Sequence, residues 1–140
     1  MRPFLHLFVL LFVLKGVVFA TDFREMFKIS LQKDEPKKIL VKYGHDKERL
    51  YTFRWTLYKN DGLVLFYSYD GVVYQNILYL NHKNQSFKTV LRHDGKYHYH
   101  LPYLLLVFKD FDRKKKEAKF ELYLYDKAHE IRLKLLKNKQ

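Results

Sequence analysis

The chain is predicted to be all-β: an antiparallel meander that closes into a small up-and-down barrel, lipocalin-like in shape, or else packs as a two-sheet sandwich. Three observations predict this. Apolar and polar residues alternate with period two over most of the chain, as in Tyr51, Phe53, Trp55 and Leu57 against Thr52, Arg54, Thr56 and Tyr58. Residues that tolerate positive φ separate the runs, as in Asn60-Asp61-Gly62 and Asp70-Gly71. No segment sustains a helical period beyond about two turns. Short connections favour pairing of each strand with the next, and a sheet of about nine or ten strands curls, splits or closes.

In chain order, Asp22-Phe23-Arg24-Glu25 has the spacing of a helix cap, which predicts one helical turn to Phe27. Phe27, Ile29 and Leu31 then define a first strand, ended by Asp34-Glu35-Pro36, and Ile39, Val41 and Tyr43 define a second. The centre of the fold is the double hairpin from Leu50 to Leu80, with Trp55 expected at the middle of the core. A polar loop from Asn81 to Gln85 leads to a strand from Ser86 to Arg92, with Phe87, Thr89 and Leu91 on one face. Another Asp-Gly turn follows, and Tyr97 to Leu101 leads away from it. Pro102 starts or edges the strand from Tyr103 to Phe108. Ala118, Phe120, Leu122 and Leu124 mark the next strand, and Ile131, Leu133 and Leu135 the last.

Residues 1–20 read as a cleaved signal peptide: Arg2 precedes the apolar run Phe4 to Leu14, and Val18-Phe19-Ala20 suits a signal-peptidase site. That run is short for a bilayer span, so no transmembrane segment is expected after cleavage. Residues 21–140 then form a single β domain, placed in the periplasm or secreted. Removing Arg2 and Lys15 from 27 basic side chains against 15 acidic ones leaves a net charge of about +10. With no cysteine, the hydrophobic core must hold the fold without a disulfide. A thiol nucleophile is excluded for the same reason. No Gly-rich phosphate loop or nucleophile-elbow serine is present, and Asp110 with Asp112 fits a solvated turn better than a catalytic pair. The expectation is therefore a protein that binds rather than catalyses, with no cofactor.

Three groups of residues are candidates for binding. The first is basic: Lys37, Lys38, Arg113, Lys114, Lys115, Lys116, Arg132 and Lys134, a field that attracts anionic lipid headgroups or acidic glycans. Aromatic residues interleaved with basic ones also suit nucleic acid, but an exported protein seldom meets it, so nucleic acid is not the expected partner. The second group is apolar: Leu65, Tyr67, Tyr74, Tyr79, Tyr103 and Leu105 lie in segments apolar on both strand faces. Such segments imply a second covered face, by a ligand, a protein partner or a homo-oligomer, or else half-exposed tyrosines. The third is His93, His98 and His100, of which the last two share a strand face and could hold zinc, copper or nickel. A hydrogen-bonding surface is the simpler reading of these histidines.

The segment Phe53-Arg54-Trp55-Thr56-Leu57-Tyr58-Lys59-Asn60, with the leader and the Lys-, Tyr- and Phe-rich composition, resembles small periplasmic proteins of ε-proteobacterial type. The resemblance implies no activity. No Gly-x-Trp precedes the first strand as in lipocalins; Trp55 follows Phe53-Arg54. Two functions compete. One is a binding module whose basic, aromatic-rich surface meets an anionic envelope component or a protein partner. The other is a carrier of a small apolar ligand, which needs a barrel cavity on the order of a few hundred Å³.

Overall fold

The computed structural model describes residues 23–45, 47–91 and 101–138. The leader and His93, His98 and His100 lie outside them. Nine strands make up the described fold: β1 (Phe23–Gln32), β2 (Lys37–Tyr43), β3 (Lys47–Lys59), β4 (Gly62–Tyr69), β5 (Val72–Tyr79), β6 (Ser86–Val90), β7 (Tyr103–Asp112), β8 (Glu117–Tyr125) and β9 (Ile131–Leu135). They form two antiparallel sheets, ordered β1-β8-β7-β6 and β5-β4-β3-β2-β9.

Of the two architectures expected, the sandwich is the one formed; no barrel closes. The meander survives only in part. β2 to β5 pair in sequence and so do β6 to β8, but β1 joins β8 and β9 joins β2. The short β1–β2 link therefore crosses between the sheets. Its crossing is held by Trp55, whose indole N–H donates to Leu31 O (2.8 Å) while its carbonyl accepts from Asp34 N (2.9 Å).

The helical turn expected before Phe27 is replaced by strand from Phe23 onward. Pairing with β8 satisfies the backbone groups that a cap would have served. A bulge at Arg24 lets the guanidinium reach Asp126 on the far side of the chain.

The hairpin turns follow the sequence closely. Asn60 and Asp61 (φ 52° and 61°), and Asp70 and Gly71 (55° and 79°), are all left-handed, the two-residue turn whose twist matches the strands. Gly62 serves a different need. A Cβ there would lie 2.8 Å from the Tyr79 ring, so only glycine lets β5 close over the start of β4.

The core lies between the sheets. Ile39, Val41, Tyr51, Phe53, Leu63 and Leu65 face Leu104, Leu106, Phe108, Phe120, Leu122 and Leu124, all fully or almost fully buried. Its centre is Phe53 against Phe120 (5.4 Å between centroids) and Phe120 against Phe108 (5.8 Å). Trp55 is buried at 3% exposure but packs at one end of this core, edge-on to Phe111. Leu57 overturns the simple alternation of β3. The register slips between Trp55 and Leu57, so Leu57 is 51% exposed and Tyr58 takes the inward place. A bulge adds one residue to the strand, and one residue reverses every face after it.

Candidate functional site: a basic aromatic cleft at one end of the sandwich

The turns β1–β2, β3–β4 and β7–β8 meet at one end. Gln32 pairs with Glu117, which starts β8, and Arg113 reaches Asp61 at 3.5 Å. The chain after β9 arrives there too, with Leu136 N bonded to Lys38 O and Asn138 bonded to Glu35. Both bulges not needed by the Arg24 contact also lie near this end, one in β3 at Thr56 and one in β7 at Lys109. Gln85 braces the second, exchanging backbone and side-chain bonds with Phe108 (2.9 and 2.8 Å).

The two bulges aim Tyr58 and Phe111 at each other. Their rings stack at 3.9 Å with a 19° tilt, Trp55 meets Phe111 edge-on at 5.4 Å, and Arg113 lies 5.8 Å from the Tyr58 ring. Beside this stack opens a cleft of about 350 Å³, lined by Lys33, Trp55, Thr56, Leu57, Tyr58, Phe111, Arg113 and Lys116. Its walls are aromatic and aliphatic, and all three of its charged residues are cations.

The nearby acids are committed to local roles. Asp61 accepts from the Tyr58 hydroxyl (3.0 Å) and pairs with Arg113. Asp34 pairs with Arg54, and Glu35 accepts from Gln32 N. Asp112 accepts from the backbone N–H groups of Lys114 and Lys115, both at 3.0 Å, which folds the basic turn. Those bonds, the Lys115 N–H foremost, hold the Asp112 carboxyl below the usual carboxylate range. Burial, with the bond to Asp61, raises the Tyr58 hydroxyl above its usual value, so it stays neutral. Among the described residues, Lys33, Lys114, Lys115 and Lys116 make no direct ion pair. Of the three cations that line the cleft, Arg113 is shared with Asp61, and Lys33 and Lys116 have no acid partner among the described residues.

The basic candidates divide between two places. Arg113, Lys114, Lys115 and Lys116 form the β7–β8 turn at the cleft, and Lys37 and Lys38 start β2 at the same end. Arg132 and Lys134 lie across from Lys42 and Leu40, on the outward face of the five-stranded sheet. Lys33, Trp55, Tyr58 and Phe111 were not picked out as a site from the sequence. Their meeting depends on two bulges that no local pattern marks.

The apolar candidates do not share one surface. Leu65 is in the core. Tyr103 and Leu105 are half-buried on the outward face of the four-stranded sheet, where Tyr103 stacks on Tyr125 at 4.7 Å with Lys88 4.5 Å from its ring. Tyr79 closes over Gly62. Tyr67 and Tyr74 stack at 5.1 Å beside a second cleft, of about 390 Å³, that opens between the start of β5 and Lys88, Thr89 and Val90 of β6.

Among the described residues no three His, Cys, Asp or Glu side chains converge, and no helix is long and apolar enough to cross a membrane. No family model matches this chain, and neither a curated protein nor a solved structure is significantly similar to it.

Proposed function

We propose that this is an exported binding module, not an enzyme, that takes an amphiphilic anion of the cell envelope into the cleft between Lys33, Arg113 and Lys116. The observation that carries the reading is the union of two lysines without an acid partner, and an arginine that keeps spare donors, with a stacked aromatic wall in one opening. A soluble charged surface needs no apolar wall, and a packed core end needs no ring of cations. An anionic headgroup on an apolar stem uses both: the cations take the charge, and Leu57, Tyr58 and Phe111 take the stem. Arg113 is held over Tyr58 by Asp61 and so presents its remaining N–H donors without a large ordering cost.

The carrier reading has less support. It asked for a barrel interior, and the space between these two sheets is filled by Phe53, Phe108 and Phe120.

Co-sedimentation with phosphatidylglycerol vesicles, compared with phosphatidylcholine vesicles, tests the proposal. Binding to the anionic vesicles at low salt, and loss of it at 1 M salt, is expected. The Debye length falls from about 10 Å at 0.1 M to about 3 Å at 1 M, which screens exposed charge contacts. Equal binding to both kinds of vesicle contradicts it.

A further inference from the structure

Strand β5 is an edge of the five-stranded sheet, paired only with β4 among the described residues. Its sequence, Val72-Val73-Tyr74-Gln75-Asn76-Ile77-Leu78-Tyr79, contains no charge and no proline. Natural edges are blunted by charge, shortness or proline, because an open edge templates pairing with another strand. Among the described residues, the other three edges are protected in this way. β1 carries Arg24, Glu25 and Lys28, β9 is short with Arg132 and Lys134, and β6 is short with Lys88. β5 stands apart: Val73 is 69% exposed and Ile77 45%.

The free hydrogen-bonding groups of β5 can be assigned. Tyr79 donates its N–H to Asn84 O in the following loop (3.0 Å), so it points away from β4. Val73, Gln75 and Ile77 share its parity, and their N–H and C=O groups face outward. Val72, Tyr74, Asn76 and Leu78 serve the ladder to β4.

We infer that β5 pairs antiparallel with β5 of a second copy of this chain, about a two-fold axis through Gln75. In that register Gln75 meets Gln75 of the copy, and Val73 meets Ile77, all as hydrogen-bonded pairs. On the other face Tyr74 meets Asn76 and Val72 meets Leu78. Every contact is apolar–apolar or between neutral polar groups. The antiparallel sense also sets the Asp70 turn of one copy, where Asp70 pairs with Arg49 at 3.3 Å, beside the His82-Lys83 loop of the other, so no like charges meet without a counter-charge. A parallel arrangement would stack like on like. The result is one continuous sheet through both copies, with the outward apolar residues Val64, Phe66, Val73 and Ile77 adjoining across the axis. This pairing does not involve the cleft at the β7–β8 end, and either can fail alone.

The absence of cysteine makes a direct test possible. Sedimentation of the purified protein over a range of concentrations is expected to show a monomer–dimer equilibrium. Gln75→Cys should cross-link to itself under mild oxidation, because hydrogen-bonded antiparallel partners lie about 5.5 Å apart at Cα, within disulfide reach. Val73→Cys alone should cross-link far less, yet form a mixed disulfide with Ile77→Cys. Gln75→Lys places like charges face to face and should raise the dimer dissociation constant at least about tenfold, while the circular dichroism and melting of the dilute monomer stay unchanged. A protein that stays monomeric at all concentrations overturns the inference. So does a dimer that Gln75→Lys leaves intact, or one in which Val73→Cys cross-links to itself better than Gln75→Cys.

Discussion

Tyr58 lies flat on Phe111, ring centroids 3.9 Å apart, although the two come from strands in different sheets and each follows a bulge. Each bulge turns an aromatic side chain toward the other at the open end of the sandwich. The stack is thus a product of two irregularities, and the cleft is built on it.

The bulge at Thr56 turns Tyr58 toward Phe111, so Tyr58→Ala should remove the ring that stacks there. Phe111 would lose its partner, and the cleft its wall. A loss of about 2–3 kcal/mol is expected, between the small cost of a surface change and that of truncating a buried aromatic. Urea denaturation measures it; a neutral substitution would mean that the stack adds nothing to the fold.

Asp126 was not singled out by the sequence, and it is buried. It accepts from Arg24 at 3.1 Å and from Ile131 N at 2.8 Å, while Arg24 also donates to Ile131 O at 3.0 Å. These bonds tie the four-stranded sheet to β9 of the other. Asp126→Ala leaves Arg24 and the Ile131 N–H without their acceptor and should cost about 3 kcal/mol, as for other broken buried pairs. Chemical denaturation that finds less than about 1 kcal/mol would show that water replaces the carboxylate freely.

Alkali should unfold the protein. The Tyr51 hydroxyl is fully buried, faces that of Thr89 without hydrogen-bond geometry, and is pushed far above its usual value of 10.0, chiefly by burial. Burial also raises Tyr69, though Tyr43 and Arg49 oppose the shift. The folded state therefore holds these protons more tightly than the unfolded chain. Stability is full below about pH 10 and falls as pH rises beyond it. Tyrosinate absorbance should show a group of phenols that ionises only on unfolding, and Tyr51→Phe should make the decline shallower. A single smooth titration near pH 10 with the fold intact would refute this.

Much of the fold was legible in the sequence. Asn60-Asp61 and Asp70-Gly71 marked their turns because few residues accept positive φ, and Ile29, Leu31, Ile39, Val41, Tyr51 and Phe53 marked inward faces by alternation. The exchange of β1 and β9 between sheets was not legible. It is decided by long-range pairing, such as Ile39 with Leu135, that leaves no local trace. The site was half legible. Arg113 to Lys116 stood out as charge, but Trp55, Leu57 and Tyr58 fitted an unbroken alternation just as well as a bulged one. Only tertiary packing against Phe111 decides between them.

Trp55 is the only tryptophan, and it lines the cleft, so its fluorescence reports occupancy there directly. The central claim is tested by titrating the protein with a short-chain phosphatidylglycerol kept below its micelle concentration, at 0.1 M and 1 M salt. The account predicts a saturable change in Trp55 emission at low salt that weakens at least about tenfold at high salt. It predicts a similar loss in the Lys33→Glu, Lys116→Glu double variant, whose exposed side chains contribute little to the fold. No saturable change at low salt, or a change that survives the double reversal, would contradict the claim that this cleft binds an amphiphilic anion.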